Sequence, residues 1–229
     1  MRLERFLFVY STLALLCAVC IFSPVAAAQE AGQEESGEPE TGLTPVQLRA
    51  MFLPDFLQDF ADTNAPLPTS PTSAVPSVEC VQNCFESLQL APGDSVYIIG
   101  QGTGFLAAFF ARNGVEVSVS EDNDELLRDY QAVWQELDLS GITQVDFREL
   151  TTQSSPRRFD AVLIHASVRT IPETVTMLLA ENGTLIAPVS NPQDTQIIIK
   201  MRKTGEGWSI NTLDEQFFPS GSLDLKQEN

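Results

Sequence analysis

Positive charge is scarce in this chain. Thirteen Lys and Arg stand against 31 Asp and Glu in 229 residues, a formal net charge of −18. Such a chain lacks the basic face that nucleic acid requires, and anionic lipid repels it. The charge is read as serving solubility. Histidine occurs once, at His165, and cysteine four times. Cys17 and Cys20 fall in the N-terminal apolar run, behind Leu16 and Val19 rather than the small residue of a lipoprotein site. Cys80 and Cys84 stand four apart on one face of a helical pattern. They lack the C-x-x-C spacing of a redox pair, and no histidine near them in sequence completes a metal site. A disulfide within one helical turn is strained, so two buried thiols are expected. What is plentiful is apolar residue, 43% of the chain, enough for the core of one α/β domain.

The N-terminus reads as a targeting segment. Arg2 and Arg5 precede the weakly polar to apolar run 6–22, Ser23-Pro24-Val25 breaks it, and Ala26-Ala27-Ala28 offers an A-x-A cleavage site before Gln29. The run is long for a signal peptide and short for a membrane span. The domain is therefore expected to be exported, periplasmic or secreted after loss of residues 1–28. The alternative is an uncleaved anchor with the domain facing outward, which is the one membrane contact expected. Residues 29–43 are polar and acidic, with Glu30, Glu34, Glu35, Glu38 and Glu40, and read as a disordered linker. Residues 44–229 form the expected domain.

Within that domain the organising stretch is SVYIIGQGTGFLAAFFAR, residues 95–112. An apolar run meets Gly100, Gly102 and Gly104 at alternate positions, and a helical pattern follows. That is strand, tight glycine turn and helix, whose start offers unpaired N–H groups. The spacing is G-x-G-x-G, not the dinucleotide G-x-G-x-x-G. Before it come helical patterns at 46–52 and 78–88, separated by the proline-rich 65–77, which is expected to run extended. After it, strands are expected at 116–120, 144–148, 159–164 and 184–189, with helices at 124–138 and 172–179. Residues 196–202 and 208–217 read as an antiparallel hairpin at the C-terminus. The alternation predicts a doubly wound, mostly parallel sheet carrying that hairpin. Ligands of such sheets bind at the carboxyl ends of the strands, which directs attention to the glycine turn, Glu121-Asp122, Arg148-Glu149 and His165.

Five pieces in order resemble the protein-L-isoaspartate O-methyltransferase family, with its S-adenosylmethionine-dependent methyltransferase fold. FLPDFLQDFADTNAPLP (52–68) is similar to F-V-P…Y-x-D-x-P-L-P, and LAPGDSVYIIGQGTGFLAA (90–108) to L-x-P-G-x-x-V-L-E-I-G-x-G-S-G-Y. VSVSEDNDELL (117–127) resembles the second strand with its acidic tip. FDAVLIHASVRTIPETVTMLLAENGTLIAPV (159–189) is similar to F-D-A-I-I-V-x-A-A-x-x-x-I-P-x-x-L-x-x-Q-L-x-x-G-G-x-L-V-x-P-V, and FFPS (217–220) to F-V-P-L. The family's N-terminal helices are mostly missing.

The resemblance implies methyl transfer from S-adenosylmethionine to a protein side-chain carboxylate, with a protein or peptide as substrate or partner. It implies that Gly100, Gly102, Thr103, Gly104 and Glu121 hold the cofactor, Glu121 by its ribose hydroxyls. Glu121 also admits a plainer role, a solvated acid at a helix start. No metal is implied. The family's substrate loop G-Q-T-I-S-x-P corresponds to residues 70–76, where Thr72 and Ser73 are the candidate active-site hydroxyls. Aligned on Pro76, Ala74 takes the place of the family's serine, and Ser73, one residue off, is expected to point elsewhere in an extended loop. The first-strand acid that fixes the methionine amine is Ile98 here. The third-strand acid falls near residues 147–149, with Asp146 as substitute. Asp62 replaces a tyrosine, and His165 is expected to line the pocket. These losses imply weakened or absent catalysis. A second reading is a non-catalytic binding module of the cell envelope that reuses the fold.

Overall fold

The computed structural model describes residues 42–70, 73–100, 102–121, 123–152, 157–190 and 196–213. The signal segment, nearly all of the acidic linker, Thr72 and the FFPS stretch lie outside the described residues. Among the described residues no helix is long and apolar enough to cross a membrane.

Seven strands form one sheet in the order β5-β4-β3-β6-β7-β8-β9. The strands β3 (Ser95–Ile99), β4 (Glu116–Ser120), β5 (Ile142–Gln144), β6 (Phe159–Ile164) and β7 (Leu179–Ser190) run parallel. The strands β8 (Gln196–Thr204) and β9 (Gly207–Leu213) add antiparallel to β7. One face is covered by α1 (Pro45–Ala50), α2 (Val78–Leu88), α3 (Gly104–Arg112) and α4 (Asp124–Glu136), whose buried residues Leu48, Val81, Phe105 and Tyr130 share a core with Ile98 and Leu163. The other face packs Leu150 of α5 (Phe147–Thr152) and Val175 of α6 (Glu173–Thr176) against Tyr97, Ile164 and Leu185. This is the doubly wound, mostly parallel sheet that the alternation of patterns predicts.

Local chemistry explains the boundaries. Thr44 and Gln47 close a capping box at the start of α1, with Pro45 at its first position. The Ser77 hydroxyl accepts the Cys80 N–H at 3.1 Å and starts α2. Gln89, left-handed at φ 57°, ends it. Cys80 and Cys84 are free and buried. A hydrogen bond to the Cys80 thiol, then burial, pushes the Cys84 thiol well up.

Three elements differ from expectation. The third parallel strand covers Ile142–Gln144 rather than 144–148, because the Asp146 carboxylate accepts the N–H groups of Arg148 at 2.7 Å and Glu149 at 3.4 Å and turns the chain into α5. The helix expected over 172–179 stops at Thr176, since Leu179 already pairs with Phe159 as the start of β7. The proline-rich stretch is not simply extended: β1 (Leu67–Pro68) pairs antiparallel with β2 (Ala74–Val75).

Arg49 fastens this hairpin to the body. It belongs to α1 and is fully buried. Nη1 donates to the carbonyls of Ala61 at 2.9 Å and Thr63 at 2.7 Å. Nη2 donates to those of Ala65 at 2.5 Å and Val75 at 3.4 Å. Burial lowers the guanidinium pKa, opposed by the charges of Asp62 and Cys80. The Arg49→Ala variant strands buried carbonyls and is expected to lose roughly 3 kcal/mol or more of unfolding free energy in urea titration. Arg49→Lys, which keeps the charge but not the fork, should recover only part of that.

Candidate functional site

The carboxyl ends of β3, β4 and β6 meet at the topological switch, between the glycine turn on one side and His165 on the other. Gly102 has φ +79°, a conformation that side chains rarely adopt. A Cβ there would lie 2.7 Å from the Ser73 hydroxyl and 2.8 Å from the Ala74 carbonyl oxygen. The loop and the turn are therefore in direct contact. This corrects the expectation that Ser73 points elsewhere: the chain folds back at Ser73, whose carbonyl accepts the Thr69 N–H at 2.9 Å and the Ser70 N–H at 3.1 Å. The tight turn, not an extended run, decides the direction of the side chain. Ser73 is buried, with Thr69 Oγ1 3.3 Å from its hydroxyl.

Glu121 follows β4 directly and is 5% exposed. Its Oε2 accepts the Gly102 N–H at 2.9 Å, and Oε1 accepts the Asn123 N–H at 3.1 Å. Asn123 in turn caps α4 through the N–H groups of Glu125 and Leu126. The carboxylate thus sits between the starts of α3 and α4, where the helix dipoles favour negative charge. It is not the solvated acid of the plainer reading.

Sequence patterning missed Tyr130. It is 4% exposed, its ring fills the space beside Gly104, and a Cβ on that glycine would collide with it. Trp134, one turn on, donates from Nε1 to the Gly104 carbonyl at 3.1 Å. The only sequence signal was an aromatic on the apolar face of α4, in line with Leu127 and Trp134. The Tyr130 hydroxyl is buried without a well-formed hydrogen bond, near Glu121 and Ser73. Burial first, then the Glu121 charge, raises its pKa, with the Ser73 contact pulling the other way. The Thr103 hydroxyl, also buried, has no hydrogen-bond partner among the described residues.

Other candidates fall differently. His165 is buried, and its main chain seals Gly100: its N–H donates to the Ile99 carbonyl at 2.7 Å, and a Cβ on Gly100 would lie 2.9 Å from its carbonyl oxygen. Ile98 is fully buried among apolar side chains. Asp146 is spent on capping α5. Asp62 is exposed.

A family model described as Protein-L-isoaspartate(D-aspartate) O-methyltransferase matches residues 42–220. The chain belongs to that family. It is 32% identical over 174 residues to the Protein-L-isoaspartate O-methyltransferase of Roseiflexus sp., covering 75% of this chain and 78% of that one. It is 27% identical over 172 residues to the Pelotomaculum thermopropionicum protein of the same name, covering 74% of each. A solved protein-L-isoaspartate O-methyltransferase structure shares the fold at a TM-score of 0.67 and 20% identity, over 77% of this chain and 59% of that chain. A Plasmodium falciparum structure in complex with S-adenosyl-L-homocysteine follows at a TM-score of 0.60 and 19% identity, over 77% and 88%.

Family membership brings S-adenosylmethionine into question for these residues. A sugar end would meet the buried Glu121 carboxylate, an acceptor held in place by backbone donors, with the buried Tyr130 hydroxyl near it. At the position where the resemblance implies an acid for the ammonium, Ile98 offers a fully buried apolar side chain. The residues fit the group at the turn and the acid, and not at its ammonium.

Three outcomes are expected. Gly102→Ala pushes against Ser73 and Ala74 and adopts a strained φ, costing about 1–3 kcal/mol in thermal or urea unfolding. Gly205→Ala, which meets nothing within 4 Å, should stay within about 0.5 kcal/mol of the parent. A raised tyrosine pKa leaves stability intact below about pH 10, the unfolded value. It removes stability above that pH, where the unfolded chain ionises first. Tyr130→Phe should therefore flatten the alkaline limb of a stability–pH profile.

Proposed function

We propose that the chain is an exported member of the family that holds S-adenosylmethionine at the glycine turn and acts on a protein side-chain carboxylate, with methyl transfer weakened or lost. The observation that carries this reading is the Gly102 N–H to Glu121 bond with Ser73 seated on the same glycine. Turn, acid and substrate-loop hydroxyl form one cluster.

When bound, S-adenosylmethionine supplies an electrophilic methyl group. Gly100, Gly102, Thr103, Gly104 and Glu121 would hold it. A carboxylate nucleophile needs no base to attack such a group, so the protein's work is alignment and exclusion of water. Ser73 is the described loop hydroxyl available to orient the incoming carboxylate. Ile98 and Ala74 support the weakening, the first by offering no acceptor and the second by offering no hydroxyl. Export is supported by the N-terminal pattern alone, and an exported enzyme needs its cofactor delivered from the cytoplasm.

A second reading, a non-catalytic binding module, is favoured by one observation: Ile98 is wholly enclosed in the apolar core. Calorimetric titration of the purified protein with S-adenosylmethionine and S-adenosylhomocysteine separates the two. Micromolar binding, about −8 kcal/mol, is expected, reduced about tenfold or more in Glu121→Gln. Methylation of an isoaspartyl peptide should then be slow but measurable. No binding up to millimolar concentration overturns the cofactor reading and leaves the binding module.

A further inference from the structure

The last strand, β9, ends the sheet, and among the described residues nothing pairs with its outer edge. Natural edges are usually blunted by a lysine, a proline or a bulge. The β9 sequence, GWSINTL, has no charge and no proline, and its register against β8 runs unbroken from Leu213 to Gly207. The pairing places Trp208 opposite Lys203, Ile210 opposite Met201 and Thr212 opposite Ile199, on one face. On that face Trp208 is 41%, Ile210 59% and Ile197 43% exposed. Ser209 and Asn211 lie on the other, beside Arg202 and Lys200.

The paired strands β8 and β9 carry more positive than negative charge, and the acids Asp214 and Glu215 follow them in sequence. Between residues 196 and 213 stand Lys200, Arg202 and Lys203 against Glu206 alone, in a protein of net charge −18. Lys200 is engaged by the Ser87 carbonyl at 2.5 Å, and Lys203 lies 3.9 Å from Glu181. Arg202 is exposed. At physiological salt, charges beyond about 8 Å are screened, so Arg202 acts mainly on the face that it shares with Ser209.

We infer that the outer edge of β9 receives an extended peptide by strand addition, with apolar side chains alternating with acidic ones. The main chain supplies the hydrogen bonds, and alternate side chains the selectivity. Apolar residues lie on Trp208 and Ile210, and acidic ones face the side of Arg202. A second copy of this chain fits less well, because its β9, which carries no charged side chain, would set no acid beside Arg202. The inference does not depend on cofactor binding.

The probe is a peptide of about ten residues alternating valine and glutamate, titrated into the full-length protein, with a valine–lysine peptide as control. Trp208 reports directly, since the other tryptophan, Trp134, is buried. A shift in tryptophan emission with the glutamate peptide is expected, at least about tenfold weaker in Ile210→Lys and in Arg202→Glu. Both variants alter exposed side chains and should melt with the parent. Failure of the glutamate peptide to bind, equal binding of the lysine peptide, or binding unchanged in Ile210→Lys each overturns the inference. So does sedimentation showing a dimer that Ile210→Lys dissolves, which would make the occupant a second copy.

Discussion

A guanidinium removed from water has to be met by protein acceptors, and Arg49 meets four main-chain carbonyls. Among the described residues no carboxylate is bonded to it, so the positive charge is spread over carbonyl dipoles. Those dipoles come from three places: the end of the turn at Ala61 and Thr63, the approach to β1 at Ala65, and β2 at Val75. A single side chain therefore decides where the 61–75 segment lies relative to α1. Because α1 packs beside α3, it also decides where that segment lies relative to the glycine turn.

The consequence reaches the site. With Val75 held, Ala74 and Ser73 are pressed onto Gly102. With Gly102 in its left-handed conformation, its N–H is turned to Glu121. Glu121 then touches the start of α4, whose Tyr130 and Trp134 return to Gly104. The three glycines thus serve packing as much as ligand approach. Each is approached by a different part of the chain: the main chain of His165, the 73–74 loop, and the ring of Tyr130.

The electrostatics of the site follow from burial. Glu121 is shielded from solvent and met by backbone donors at two helix starts, an arrangement suited to a fixed anion. Near it stand the hydroxyls of Ser73 and Tyr130. Ile98, in β3 before the turn, is enclosed in the apolar core.

Local patterns were enough for the elements whose signals are short-range. The strands 116–120 and 159–164 and the helix 78–88 were legible because their apolar patterning is encoded within a few residues. The parallel sheet followed from their order. The glycine turn and Glu121 were legible as a constellation for the same reason. Long-range contacts were not. Nothing near Arg49 in sequence states that carbonyls 12 to 26 residues away will surround it. Nothing in an α4 pattern states that Tyr130 will fill the space at Gly104. The direction of Ser73 depended on a hairpin that forms only because both its strands are held from outside. By itself the sequence determined the fold class, the family and the acid at the strand tip, because these rest on periodicity and local spacing. Only the tertiary structure decided which hydroxyl meets the turn and that the acid is buried, because both depend on packing between segments distant in the chain.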